Sequence, residues 1–593
     1  MDDGIDFGAL EEGKECNYWS VDRTIQRICR RAYPADAFDW AESRLEEFGH
    51  LVGHTVAENA DYIDDHGPEL QTYDRRGNIV NEVRYPAEQL ENEEHVYEAG
   101  IVSDVFHAPP GREEPLPFTH NLAMQYLLCY ADPGFDCPVA MTTGAALVLE
   151  RFDDGTLEEY YEGLTSRDYE DLIEGAMFLT EEQGGSDVGA NETIAEPTDE
   201  EGVYELTGEK WFCSNIDAQG TLALGRTPDA PDGTEGLSMF LVPHRTPDGE
   251  LNDQRYRRLK DKLGTIAVPT GEVEFQGATG YLVGSEEAGF KQMAEMLNLE
   301  RLSNAVASCG IVGRALLESR VYAQRREAFG NPIAEYPLMR EDLVDMTVEH
   351  EAATAYTFEA ARFFSERERA VRAGEDAEET YRLMRLLIPI AKARTARVAV
   401  DTASYAMEIQ GGNGYVNDFV THRLLRDAQV LPIWEGTENI LSLDVLRALE
   451  REEAHEPLVE VVQSRIEAAD GHPPLDRARE VTADAFTDLS RALATLASAD
   501  GDYAQLSAKR LGTFIYDVFT AALLLEQAAK DLEDGSGRTA LVAHRFVDLH
   551  LADRDARGIP SGDRFPLEYF ESVVNFSSID PETLAESPPT PAD

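Results

Sequence analysis

Thr180-Glu-Glu-Gln-Gly-Gly-Ser-Asp187 marks the point at which the grain of this 593-residue chain changes. Upstream of it, from about Phe118, apolar residues recur with helical spacing. Downstream, to about residue 283, short alternating runs such as Gly202-Val-Tyr-Glu-Leu-Thr-Gly208 and Gly236-Leu-Ser-Met-Phe-Leu-Val-Pro243 are cut by Gly, Pro and Asp. Period-two alternation is the mark of half-buried strands, so a β domain is expected between helical ones. The octapeptide itself is turn chemistry: its paired glycines let the chain pass beneath a flat ligand, and the Thr180 and Ser186 hydroxyls can reach a polar edge. Taken alone, a Gly-Gly-Ser-Asp turn is weak evidence and more often a plain loop.

Working outward, residues 1–175 are expected to form a mainly helical domain with a hairpin near 69–84, where Gly77-Asn78 separates two short extended runs. Residues 176–284 form the β domain. Residues 285–450 carry i, i+3, i+4 apolar spacing over 285–325, 337–374, 377–411 and 436–450, the pattern of a four-helix bundle. Gly471-His-Pro-Pro474 interrupts an extra helical domain at 451–580, and the Pro- and Glu-rich residues 581–593 are expected to be a disordered tail. The fold class is α+β, multidomain.

Acidic residues number 113 against 52 basic ones, a formal net charge of -61, and only eight of the basic residues are Lys. A surface so charged repels itself and polyanions. At about 1 M salt the Debye length falls to roughly 3 Å, so haloadaptation is one reading of the composition, beside that of an ordinary acidic mesophile, and on the first reading stability is expected to fall on desalting. The six cysteines show no metal-ligand spacing and read as free thiols in a reducing compartment; no metal site is expected. With no signal segment and no run of 18 apolar residues, a soluble, cytoplasmic protein without membrane contact is expected.

Trp434-Glu435-Gly436-Thr437 places a carboxylate at the mouth of a helix. A carboxylate acting as a general base must be close to its proton, desolvated and ionised, and Gly436 allows close backbone approach. The tetrapeptide alone also fits a solvated turn carboxylate with Thr437 as helix cap.

The order and spacing of Thr180–Asp187, Gln410-Gly-Gly-Asn-Gly-Tyr415 and Ile433-Trp-Glu-Gly-Thr-Glu-Asn439 resemble the acyl-CoA dehydrogenase flavoproteins. That resemblance implies an N-terminal helical domain, a central β-barrel-like domain, a C-terminal four-helix bundle and FAD as cofactor. It makes Glu435 the base for α,β-dehydrogenation of an acyl-CoA thioester, with the hydride passing to the flavin. It assigns Met177, Thr180, Gly185, Ser186, Phe212 and Ser214 to the flavin. It adds Phe329 to the cofactor contacts, and Arg326, Glu408, Gly411 and Gly412 would touch the flavin of a neighbouring subunit, in a tetramer. Trp434, Thr437 and Asn439 complete the cofactor contacts, and Ser186 and Arg301 join Glu435 on the substrate. An electron-transfer flavoprotein is the implied electron acceptor, and fatty acid metabolism the implied setting.

Three features complicate the likeness. Glu300, in Leu297-Asn-Leu-Glu-Arg-Leu302, occupies the helix position from which isovaleryl-type and long-chain members take their base, so it is the alternative to Glu435. Pro337 stands where many members have a flavin-contacting glutamine. Together with the long N-terminal region and the C-terminal extension, it resembles the AidB-type branch, whose alternative function is a DNA-associated protective flavoprotein with weak dehydrogenase activity. That branch is reported to bind DNA through a basic C-terminal domain. Here 13 Arg and Lys stand against 27 Asp and Glu over residues 451–593, a balance of -14, which argues against DNA binding.

Overall fold

The structure, a computed structural model, describes residues 4–553, 557 and 562–586. They fall into two compact units: Leu51–Ser303, and Met1–His50 together with the chain from Asn304 on. The expected N-terminal segment 1–175 is thus shared out, its first 50 residues packing with the later helices and the rest with the β domain.

In the unit of residues 51–303, strands β1 (Glu69–Tyr73) and β2 (Ile79–Arg84) form an antiparallel hairpin. Its turn is set by the Asp74 carboxylate, which accepts the amides of Arg76 and Asn78, and by Gly77 at φ 86°. Helix Pro133–Phe152 starts on a proline, where no amide partner is lost, and Asp132 caps it by accepting the amides of Gly134 and Phe135.

Strands β3 (Gly175–Phe178), β4 (Ile194–Pro197), β5 (Val203–Ser214), β6 (Gly220–Arg226), β7 (Leu237–Leu241), β8 (Gln254–Leu259) and β9 (Thr270–Leu282) form one seven-stranded sheet. Pairing runs β6-β4-β5-β9-β7 and returns from β7 to β6, so five strands close on themselves, with β3 added parallel to β6 and β8 antiparallel to β9. Closure removes the free edges an open sheet would expose. The inward residues Phe178, Leu206, Cys213, Phe240, Val273 and Phe275 fill the core, each large apolar side chain contributing about 1.5–3 kcal/mol.

The other unit is helical. Pro337–Ala373, Glu378–Gln410 and Glu438–Arg451 pack with the second half of Gly289–Arg325, joined through the short helix Thr421–Ala428. Pro337 begins its helix, where its missing amide is harmless, and Gly374 ends it in a left-handed conformation at φ 69°. Helices His455–Ala468, Asp476–Ala497, Gly501–Glu533 and Arg538–His550 belong to the same unit as this bundle.

Buried ions fasten these parts. Glu351 accepts Arg538 Nη1 at 2.9 Å and Arg27 Nη2 at 2.5 Å, so one carboxylate on helix Pro337–Ala373 holds an N-terminal and a C-terminal helix. One turn pair further on, Glu359 holds Arg362 and Arg465. At the N-terminus, Gly13 N donates to Glu318 Oε1 and Arg314 donates to the Tyr18 hydroxyl.

The expected disordered tail needs correction. Residues 581–586 form a helix, Pro581–Glu586, with Leu584 buried, and Gly537 N donates to Ile579 O just ahead of it. A proline at the helix start and one apolar anchor outweigh the polar composition that suggested disorder. Residues 587–593 lie outside the described residues.

Candidate active site

Each unit carries part of the predicted set. In the β unit, Thr180–Asp187 follows β3 and is tied to β5 by the bond from Trp211 N to Thr180 O, 2.9 Å. Gly185 lies directly over Thr180: a Cβ there would sit 2.5 Å from the Thr180 hydroxyl, which explains the glycine. Gly184 turns at φ 130° with open space around it, and Ser186 is exposed. The loop is anchored from below by Glu181, which accepts the Thr193 hydroxyl at 2.6 Å, the Glu192 amide at 2.6 Å and the Lys210 ammonium at 2.8 Å. Burial alone would raise the Glu181 pKa, but Lys210 and these donors hold it below the ordinary value. Lys210, itself fully buried, also donates to Leu224 O.

Beside the loop, Phe212 is 56% exposed, an unusual state for a phenylalanine inside a twelve-residue strand. The Lys260 ammonium sits 3.6 Å from the Trp211 ring centroid and 4.7 Å from that of Phe212. Ser214 shares a hydrogen bond with Thr270 at 3.0 Å. Met177 is half-buried within β3. Glu300 is buried in helix Gly289–Arg325, its carboxylate against Gly144, where any Cβ would come within 2.9 Å of Oε1; Arg301 is half-buried.

In the helical unit, Glu435 adopts φ 55° and Gly436 φ 104°, two successive residues with positive φ. The conformation is costly for glutamate and is kept by its surroundings. Ile433 N and Trp434 N donate to Val430 O, Asn304 Nδ2 donates to Leu431 O at 3.3 Å, and Lys392 Nζ donates to Gly436 O at 2.6 Å. Glu435 is half-buried, and Trp434 Nε1 is buried with no acceptor among the described residues. Thr437 occupies the N-cap of Glu438–Arg451, yet its hydroxyl makes no capping bond. The plain capping role that the tetrapeptide allowed is therefore not what Thr437 does here.

Arg326 is exposed ahead of a tiny hairpin, Glu327–Ala328 with Asn331–Pro332, whose turn carries Phe329 at φ 53° and 98% exposed. Glu408 is exposed near the end of its helix. Gly411, at φ 62°, and Gly412 follow, and added Cβ atoms there would meet nothing within 4 Å. Asn439 is exposed in the first helical turn after Glu435 and Gly436.

Comparison with known proteins places this arrangement. Residues 176–278 match the acyl-CoA dehydrogenase middle domain and 287–450 its C-terminal domain. Residues 10–171 match the adaptive response protein AidB N-terminal domain, and 454–559 the acyl-CoA dehydrogenase 11 C-terminal domain-like family. Acyl-CoA dehydrogenase family member 11 of Caenorhabditis elegans is 32% identical over 551 residues, covering 89% of this chain and 87% of that one. The chain belongs to the acyl-CoA dehydrogenase family. The putative acyl-CoA dehydrogenase AidB of Escherichia coli is 35% identical over 397 residues, 65% of this chain and 70% of the relative. Among solved structures, C. elegans ACDH-11 in complex with C11-CoA superposes with a TM-score of 0.83 at 29% identity, covering 93% of this chain and 94% of that one. An acyl-CoA dehydrogenase complexed with FAD from Bacillus anthracis shares the fold, with a TM-score of 0.71 at 18% identity, covering 97% and 99%.

As an acyl-CoA dehydrogenase family member, the protein is an oxidoreductase acting on CH–CH donors, with FAD as cofactor. The residues of each unit are suited to that cofactor: on the β unit an exposed phenylalanine stands beside hydroxyl-bearing Ser214 and Gly184 leaves room near Thr180, and on the helical unit Gly411 and Gly412 leave room and Trp434 Nε1 has its donor to give. No group of side chains among the described residues is arranged to hold a metal ion, and no helix among them is long and apolar enough to cross a membrane.

One set of residues in this dehydrogenase family chain carries no sequence signal. Glu93, Glu174 and Asp217 each meet a tyrosine hydroxyl, from Tyr169 at 2.8 Å, Tyr97 at 2.7 Å and Tyr85 at 2.7 Å, and Asn215 beyond Ser214 donates to Glu174 at 3.0 Å. Burial, with Glu174 adding repulsion, pushes Glu93 up to about 8, and burial raises Glu174 and Asp217 too. A carboxyl raised in the fold stabilises below its unfolded value of 4.5, and that contribution is lost as pH rises through about 8. Glu93→Gln is therefore expected to melt progressively higher than the parent as pH is raised from 5 to 9, read as the difference between paired thermal melts; a constant difference would show that Glu93 does not titrate in this range.

Proposed function

We propose that the protein dehydrogenates an acyl-CoA thioester between its α and β carbons, with Glu435 removing the α proton. The observation that carries this is the Glu435–Gly436 turn: a half-buried carboxylate held in positive-φ backbone by two buried side chains on different helices, Asn304 and Lys392. FAD, when bound, supplies the acceptor for the β hydride. Met177, Thr180, Gly185, Ser186, Phe212 and Ser214 are the residues to hold it on the β unit, with Trp434, Thr437 and Asn439 on the helical unit. Arg326, Glu408, Gly411 and Gly412, all exposed, suit contact with the flavin of a second subunit, in a homotetramer, and the exposed Phe329 is a further cofactor contact. Ser186 and Arg301 complete the substrate contacts.

Protein dipoles do the remaining work. Negative charge that develops on the thioester oxygen is stabilised by backbone amides at the base turn and by the N-terminal pole of helix Glu438–Arg451. Glu300 stays the second candidate base; its carboxylate is packed against helix Pro133–Phe152, whereas Glu435 stands on a turn beside an unsatisfied indole donor.

The reading extends to an electron-transfer flavoprotein as acceptor, a place in fatty acid metabolism, a cytoplasmic location and adaptation to high salt, the last from the -61 charge. The C11-CoA in the C. elegans relative makes a medium straight chain the first acyl group to try. A DNA-associated role of the AidB type has the N-terminal domain match in its favour and the -14 charge of residues 451–593 against it. The test is anaerobic titration of the yellow holoprotein in molar KCl with straight and branched acyl-CoA thioesters. Bleaching that follows one acyl class supports the dehydrogenase; a chromophore untouched by every thioester would overturn it. Repeating the thermal melt in dilute buffer, where Tm is expected to fall, checks the salt reading.

A further inference from the structure

The chain has eight lysines, of which two, Lys210 and Lys392, are fully buried. Arginine has taken most cationic positions, so a lysine kept in the dry interior calls for a reason. Lys210 has one, the Glu181 ion pair. Lys392 lies on helix Glu378–Gln410 and delivers its ammonium to the carbonyl of Gly436 at 2.6 Å.

Seven residues earlier on that helix, Arg385 binds Asp444 of helix Glu438–Arg451 at 3.0 Å. Seven residues are two helical turns, so Arg385 and Lys392 share one face, and that face grips the downstream helix at its body and at its entrance. At the entrance the grip falls on the peptide joining Gly436 to Thr437, just after Glu435. Asn304 holds Leu431 O, so the segment 431–436 is pinned at both ends. Glutamate at φ 55° followed by glycine at φ 104° would relax if the second pin were released.

A neutral amide could satisfy one carbonyl. An ammonium in this place does more: burying it is costly, and its positive charge, added to that of the helix N-terminus, favours negative charge at the turn. We infer that Lys392 is a positioning residue for the dehydrogenation, fixing the Gly436 peptide so that Glu435 is held in its reactive geometry, and supplying positive charge behind the turn.

This inference rests on Glu435 being the base, and the test separates the two. Lys392→Met removes donor and charge; Lys392→Gln keeps a neutral donor on a side chain one bond shorter. Both are purified as FAD-loaded holoprotein and assayed with the acyl-CoA that bleaches the parent fastest, alongside Glu435→Gln and Glu300→Gln. The expected result is a fall in kcat of roughly 10²-fold for Lys392→Met with KM little changed, partial recovery in Lys392→Gln, and a larger α-deuterium isotope effect in both as proton removal becomes limiting.

If Glu435→Gln turns over normally, the base assignment fails and this inference with it. If Glu435→Gln is inactive while both Lys392 variants keep parental kcat and isotope effect, the role of Lys392 alone is overturned. Equal losses in Met and Gln variants with an unchanged isotope effect, or failure of both to fold and take up FAD, would show a purely structural lysine and equally overturn it.

Discussion

Glu435→Gln is expected to keep the fold and the yellow chromophore while lowering turnover by roughly 10²–10⁴-fold, the range ordinarily supplied by a positioned general base. Glutamine matches the shape of the carboxylate, so the positive-φ turn at 435 and 436 and the bond from Lys392 to Gly436 O have no reason to change. What is lost is the ability to accept the α proton. Substrate binding should survive, so KM moves little while kcat collapses, the pattern of an interaction used only in the transition state. Glu300→Gln supplies the contrast. Its carboxylate packs against Gly144 and Met296, so a modest loss of stability with turnover retained is expected. Stopped-flow bleaching of both variants decides: bleaching that survives in Glu435→Gln and vanishes in Glu300→Gln would move the base to the helix.

The second large effect is on stability. Glu351→Gln should destabilise the helical unit by about 3–5 kcal/mol, because it leaves the buried Arg538 without its counter-charge. The same carboxylate sets an acid limit. Burial alone would raise Glu351, but Arg27 and Arg538 hold it down to about 2, against an ordinary 4.5. A depressed carboxylate stabilises above its unfolded value and loses that contribution as pH falls toward its folded one, here over roughly pH 4.5 to 2. The difference amounts to about 3 kcal/mol, in line with the mutational figure. Acid-induced unfolding monitored by far-UV circular dichroism should therefore be less steep in Glu351→Gln, which starts weaker but has less to lose; parallel curves for parent and variant would show that this ion cluster does not govern acid stability.

Much of the architecture is legible locally. Gly77-Asn78 marks the β1–β2 hairpin because a positive φ is needed there, and the i, i+4 seams of residues 337–374 and 377–411 find helices at Pro337–Ala373 and Glu378–Gln410 because bundle helices bury one stripe. The turn at Glu435 and Gly436 is visible as a carboxylate and glycine ahead of a helix. The support behind it is not: Lys392 reads in sequence as one more polar residue on a helix, and only packing turns its ammonium onto Gly436 O. The Glu93, Glu174 and Asp217 cluster escapes for the same reason, since its members come from three separate segments and share no spacing. Leu584 is a single apolar residue in a polar stretch, too little for a periodicity to register. Nor does any local pattern say that residues 1–50 pack with the chain beyond 304, because that partnership spans hundreds of positions.

That last arrangement constrains how the chain can mature during synthesis. Residues 51–303 are contiguous and carry all seven strands of the closed sheet, so they can reach their final form while the ribosome is still translating. The leading fifty residues cannot. Arg27 awaits Glu351, which Arg538 also binds, and the amide of Ile5 awaits the carbonyl of Asn575, 2.8 Å away in the finished molecule. Residues that emerge ahead of the sheet unit thus settle after it, and the buried face of the amphipathic helix Arg23–Ala32, with Ile25, Ile28 and Cys29, stays uncovered until the later helices are released.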